Sequence, residues 1–190
     1  FGALQQVVPD KVMAAAGSPL WVFTVTGIDD DGRTFANVLF YNGGMGATQA
    51  SDGEHCLSWP SNISSTPVEV MERNGPLRCS FKRLRPGSGG AGRQRGGLGQ
   101  DIEFECLSER PLMALFMTER TRRAAPGLDG GGQGGIGAVE INGAAVDTHR
   151  QYVLSQGDTV TLRTPGGGGY GDPEERDGAL RQEDIAKGYD

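Results

Sequence analysis

Hydrophobic and polar residues alternate with a period of two along much of this chain. Leu77, Cys79 and Phe81 alternate with Arg78, Ser80 and Lys82, and further on Ile102, Phe104 and Cys106 alternate with Asp101, Glu103 and Glu105. Such patterning indicates half-buried strands. If these two pair, the basic outer face of one meets the acidic outer face of the other, the favourable cross-strand case. Residues 21–26 (WVFTVT) and 35–41 (FANVLFY) predict two more strands with a turn at 29–32. Residues 111–118 (PLMALFMT) are almost wholly apolar and predict a buried strand. Asn142-Gly143 between 138–141 and 144–146 is the clearest hairpin signal, and 159–163 (TVTLR) is a last strand.

Helical signals are fewer. Residues 9–16 (PDKVMAAA) read as the end of a short helix stopped at Gly17, and 177–187 as a polar helix between an Asp177 cap and a Gly188 stop. Residues 68–73 (VEVMER) fit strand or helix, with the balance toward a helix start or bend. His149 falls with Asp147 in a surface strand. The sum, about eight strands and two short helices, predicts a mainly β fold: an antiparallel sandwich or barrel-like domain with long decorated ends. Residues 1–190 are treated as one unit with a candidate internal boundary near 120–130.

Between the strands at 77–82 and 102–106 lies RLRPGSGGAGRQRGGLGQD (83–101). A connection of about fifteen residues exceeds the usual hairpin loop, and long ordered loops tend to be functional. Its glycines at 87–92 satisfy G-x-G-x-x-G, as do 130–135 and 166–171. The dinucleotide site needs a helix directly after the glycines, and RQRGGLGQ followed by a strand offers none. No P-loop pattern occurs. Exposed amides in such loops can bind anions or shape a pocket, or the loops simply turn corners.

Composition sharpens this. Glycine accounts for 32 of 190 residues, clustered at 43–46, 87–99, 127–137 and 166–171 with ordinary strand sequence between. That is punctuation between packed segments, without the three-residue repeat of collagen. A net charge of −6 argues against nucleic acid despite Arg83, Arg85, Arg93 and Arg95, leaving a local anion site or a subunit contact. Three separated cysteines, Cys56, Cys79 and Cys106, match no zinc or disulfide framework and read as buried free thiols in a reducing cytoplasm. No apolar run reaches the ~20 residues of a membrane span. No signal peptide is visible, and Phe1 in place of an initiator Met suggests a processed product or a piece of something longer.

Candidate chemistry is sparse. His55 lies near Asp52 and Glu54, a group that could transfer protons or bind a metal, although no second histidine sits at ligand spacing. Glu69 and Glu72 stand one turn apart if 68–73 is helical. No nucleophile elbow occurs, and the serines around Trp59-Pro60 lack partners at readable spacing. On its residues alone, the chain has no self-sufficient active site.

Five motifs follow one another in order: NGGMGATQASDG (42–53), WPSNISSTPVEVMER (59–73), LRPGSGGAGRQRGGLGQ (84–100), GLDGGGQGGIGAVEING (127–143) and GDTVTLRTPGGGGYGDPEERD (157–177). This string resembles the C-terminal region of the hydantoinase B/oxoprolinase family, the B-type subunits of N-methylhydantoinases, 5-oxoprolinases and ketone carboxylases. The PSN-x-x-x-TPVEV form looks closer to the hydantoinase and carboxylase members. The resemblance implies a share in ATP-dependent hydrolysis of a cyclic amide, or in carboxylation of a ketone, or a non-catalytic assembly role. It implies an A-type partner with an actin-like fold that binds ATP with Mg2+ and phosphorylates the substrate or bicarbonate. It implies a divalent metal, Zn or Mn, in an N-terminal portion that this chain lacks, and none held by the chain itself. What carries over is pocket or interface shaping by Gly43, Gly44, Gly46, Ser61, Asn62, Arg93 and Arg95, with Asp52, His55 and Glu69 as weak catalytic candidates. The loop reads PGSGG where the family more often has PDSGG, which puts a carboxylate role there in doubt.

Overall fold

Trp21, Phe23 and Val25 alternate along the first strand and all three are buried, so one face of that strand belongs to a core. The structure, a computed structural model, describes residues 2–29, 31–57, 59–61, 63 and 66–190. Nine strands occur among the described residues: β1 (Trp21–Ile28), β2 (Thr34–Tyr41), β3 (Leu77–Leu84), β4 (Gln100–Cys106), β5 (Leu112–Met117), β6 (Ala138–Ile141), β7 (Ala144–Ala145), β8 (Tyr152–Leu154) and β9 (Thr159–Arg163). They form a four-stranded sheet, β2-β1-β5-β8, and a five-stranded sheet, β3-β4-β9-β6-β7. Every pairing is antiparallel. Apolar faces of both sheets meet in one core, where Phe23 stacks on Phe116 at 5.2 Å and packs against Phe104 of the other sheet at 5.8 Å. The architecture is therefore an open sandwich and not a closed barrel.

Local chemistry accounts for several elements. Asn142 and Gly143 take φ of 52° and 74°, as a tight hairpin turn between β6 and β7 demands. Of the helices α1 (Gly2–Gln5), α2 (Val68–Arg73) and α3 (Gly178–Lys187), the last is the best specified. Asp177 caps it by accepting from the Ala179 amide, and Gly188 ends it in the left-handed conformation. β3 and β4 pair as the charge pattern predicts at one end, with Arg78 ion-paired to Glu105 opposite it.

Four expectations fail for physical reasons. A bulge between Cys79 and Phe81 sets Phe81 opposite Glu103 and Lys82 opposite Ile102, so the basic-on-acidic pairing is lost there although exposure still alternates from Leu77 to Lys82. Residues 9–16 are not a helix: a 3-10 turn at Pro9–Lys11 gives way to extended chain. There the Ala14 and Ala15 amides donate to the Ala47 and Pro126 carbonyls, so tertiary bonding overrides alanine's helix propensity. β5 is buried on one face only, because Met113 and Met117 point out of the sandwich. Finally, His149 sits in a turn beside Asp147 and not in a strand. The three-residue β8, with Val153 exposed, is too short to announce itself.

The glycine segments do not hang in solvent. Residues 166–171 are buried and run through the middle of the others. The amides of Gly166, Gly167, Gly168, Gly169 and Tyr170 donate in turn to the carbonyls of Gly135, Gly97, Ala15, Gly132 and Gln94. Partners thus recur every third residue, the period of a polyproline II helix, whose backbone groups point outward and must be satisfied by neighbours. Side chains have no room in this layer. A Cβ on Gly44 would lie 1.8 Å from the Gly97 carbonyl oxygen, and one on Gly166 would lie 1.7 Å from that of Ser88. The amides of Gly166 to Tyr170, engaged in this way, are not available to cradle an anion.

Candidate functional site

The glycine layer brings the central loop, the 42–54 loop and the C-terminal segment together, and charged side chains converge where they meet. Arg176 makes a two-pronged contact with Asp52, Nη1 to Oδ1 at 2.9 Å and Nη2 to Oδ2 at 2.8 Å. Its Nε and Nη2 also donate to Asp184 Oδ2, at 2.9 and 2.6 Å. Arg95 Nε donates to Asp184 Oδ1 at 3.2 Å, and the Arg95 amide donates to Asp52 Oδ1 at 2.7 Å. Two guanidinium groups and two carboxylates therefore balance, with the Arg176 and Asp184 side chains each only 8% exposed. The capped α3 is what presents Asp184 to this cluster.

Next to it, His55 Nδ1 accepts the Leu98 amide at 2.9 Å, and its ring meets Tyr189 edge-on at 4.6 Å. Arg95 lies over the same tyrosine ring at 5.1 Å. Clefts open on both sides of the cluster. One, of about 400 Å³, runs between the 87–92 loop and the C-terminal segment and reaches Arg95, Arg176 and Tyr189. The other, of about 280 Å³, is bounded by Asp52, Glu54, His55 and Lys187.

Electrostatics hold Asp52 ionised and His55 neutral. Burial alone would raise Asp52, but hydrogen bonds from Arg176 and the Arg95 amide, with both positive charges, hold it below its ordinary 3.8. His55 is depressed first by burial and then by the Arg95 charge, against Glu54, Asp184 and Asp52. Folding therefore favours its neutral form. As pH falls below the ordinary 6.5 the unfolded state takes up the proton first, so stability declines until the folded ring also titrates. Replacing His55 by alanine is expected to cost about 1–2 kcal/mol in urea unfolding, because the Leu98 amide loses its acceptor. Asparagine, whose Oδ1 can take the place of Nδ1, should recover part of that loss and remove the decline near pH 6. The thiols are held in the protonated form. Burial pushes Cys56 up to about 12 and raises Cys79 and Cys106 as well. Among the described residues no group of three or more His, Cys, Asp or Glu side chains is arranged to hold a metal.

A family model for hydantoinase B/oxoprolinase matches residues 1–173. The chain belongs to this family. An uncharacterized protein of Methanocaldococcus jannaschii is 34% identical over 97% of this family member. A putative D-/L-hydantoinase of Pseudomonas sp. (strain NS671), in its B-type subunit, is 29% identical over 98% of it. The chain spans 32% of the length of each of these curated relatives. The crystal structure of ATP-dependent caprolactamase from Pseudomonas jessenii has the same fold, with a TM-score of 0.79 and 24% identity over 98% of this chain and 35% of that one.

In this hydantoinase B-family chain the candidate residues part company. Asp52, His55 and Arg95 come together. Arg93 borders them: its carbonyl accepts from Arg176 Nη1 at 3.2 Å and its side chain reaches Glu175 at 3.6 Å. Gly43, Gly44 and Gly46 lie inside the packed layer, each hard against neighbouring backbone. Glu69 is exposed on the first turn of α2 and lines neither cleft; its neighbour Glu72 accepts the Cys79 amide at 2.8 Å. Ser61 is exposed, and Asn62 lies outside the described residues. Arg176 and Asp184 were not singled out from the sequence. The one available signal was that the helix caps, Asp177 and Gly188, fix α3 firmly enough for one of its faces to pack.

Proposed function

We propose that this chain is part of a B-type subunit of an ATP-dependent cyclic amide hydrolase, where it supplies a rigid wall of the substrate chamber and a subunit contact. The observation that carries the reading is the family match over residues 1–173. The similarity to a putative hydantoinase along nearly the whole chain supports the choice of a hydrolase. The charge-balanced cluster supports a supporting role for this region: Asp52 is committed to Arg176 and His55 Nδ1 to a backbone amide. Activation of the substrate is assigned to an A-type ATPase, because an unactivated amide is a poor electrophile and phosphate is a good leaving group. The metal and general base are assigned to other parts of the B-type polypeptide.

The test combines the B-type polypeptide with its A-type partner and follows ring opening of hydantoin, oxoproline and caprolactam together with ATP use. The reading predicts ATP-dependent hydrolysis by the complex and none by residues 1–190 with ATP alone. Turnover by this chain alone contradicts it. Substrate consumption that requires bicarbonate replaces the hydrolase by a ketone carboxylase.

A further inference from the structure

The two sheets differ sharply on the sides that face away from the core. On the outer side of the five-stranded sheet, charged residues pair across strands: Arg78 with Glu105, and Arg163 Nε with Glu140 at 2.9 Å. That is how a water-facing sheet is built. The four-stranded sheet, in contrast, contains no charged residue in any strand: WVFTVTGI, TFANVLFY, LMALFM and YVL. Register places Phe40, Val22 and Met117 in one row across it, Val38, Thr24 and Leu115 in the next, and Met113 beside Val153. Met117 is 70% exposed, Val153 62% and Val38 46%. A groove of about 530 Å³ borders the face, with Leu20, Val22 and Leu115 on its apolar side and Glu119, His149 and Arg150 on its polar side. A contiguous apolar face of this kind marks an interaction surface.

We infer that the outer face of the β2-β1-β5-β8 sheet packs against the remaining part of the B-type polypeptide; the inference rests on the functional reading above. Two observations select this occupant. The chain spans 32% of the length of the Methanocaldococcus jannaschii and Pseudomonas sp. relatives, which leaves about two thirds of such a polypeptide to be placed around it. The face also has the character of a core cut open, as permanent interfaces do, whereas partners that come and go meet on more polar surfaces. A segment of the same polypeptide never leaves, so the apolar rows are never returned to water.

The methionines on this face allow a test without substitutions. The native B-type polypeptide is treated with peroxide, and sulfoxide at Met113, Met117 and the buried Met71 is followed by mass spectrometry. Packing against the rest of the polypeptide predicts that Met117 loses its reactivity and oxidises no faster than Met71, whether or not the A-type partner is present. Free oxidation of Met117 overturns the inference. So does protection that appears only with the A-type partner, or only as concentration rises, since those results give the face to that partner or to a second copy. Intact mass and ATP-dependent ring opening are measured on the same sample. Ring opening by a longer polypeptide whose Met117 is freely oxidised defeats the docking inference and leaves the functional reading standing. A native chain of this length that gives no ATP-dependent ring opening even with the A-type partner defeats the functional reading itself.

Discussion

Gly166→Ala is expected to destabilise the protein by about 4 kcal/mol or more, the upper end of what single substitutions do. The added methyl would lie 1.7 Å from the Ser88 carbonyl oxygen and 2.9 Å from the Gly89 nitrogen, both backbone atoms that no rotamer change can move aside. Relief requires separating the 87–92 and 166–169 segments, which would give up the Gly90 N–H to Gly167 O bond between them. For a chain of this size the loss corresponds to a fall in Tm of about 8–16 °C. Gly178→Ala is the matched control. Nothing lies within 4 Å of a Cβ there, and the residue opens α3, so stability should be unchanged or rise by about 0.5 kcal/mol. Thermal unfolding of the two variants beside the parent checks both outcomes.

Arg176→Met is expected to have the next largest effect, a loss of about 3–5 kcal/mol, because it leaves Asp52 and Asp184 facing Arg95 alone. The penalty comes from an uncompensated buried charge and not from the pair's attraction as such. Arg176→Met combined with Asp184→Leu, which restores neutrality with Asp52 and Arg95, should therefore be more stable than the single variant. The pH profile provides an independent sign. Asp52 sits below its ordinary value in the folded state, so its contribution is complete where the unfolded carboxyl is already ionised and disappears as pH falls through the folded value. Parent stability should decline from about pH 5 downward, and Arg176→Met should show a shallower decline. Urea unfolding across that range measures both.

Features set by neighbours in sequence, and one cross-strand pair announced by alternating charge, were legible beforehand. Asp177 and Gly188 framed α3, Asn142-Gly143 closed its hairpin, and Arg78 met Glu105 across β3 and β4. Features that depend on what lies across the fold were not. Ala14 to Ala16 have a helical composition, but the Ala14 and Ala15 amides belong to hydrogen bonds with the carbonyls of Ala47 and Pro126. The bulge in β3 leaves no mark in the RCSFK pattern. The glycine count announced something unusual without saying whether the segments line a pocket or fill one another. That distinction rests on the convergence of 15, 94–97 and 132–135 around a single strand of glycines. Asp52 and His55 were drawn from local clustering, whereas Arg176, which holds Asp52, and Asp184, which shares Arg176, lie more than a hundred residues downstream in a segment that reads as surface.

The account turns on the glycine segments being a hydrogen-bonded interior, and amide hydrogen exchange addresses that directly. The amides of Gly96, Gly97 and Gly166–Gly169 should exchange as slowly as those of β4 and β9 in the sandwich core, through global unfolding only. If they exchange on the timescale of exposed loops, the layer is not a core, and the packing role given to these residues is wrong.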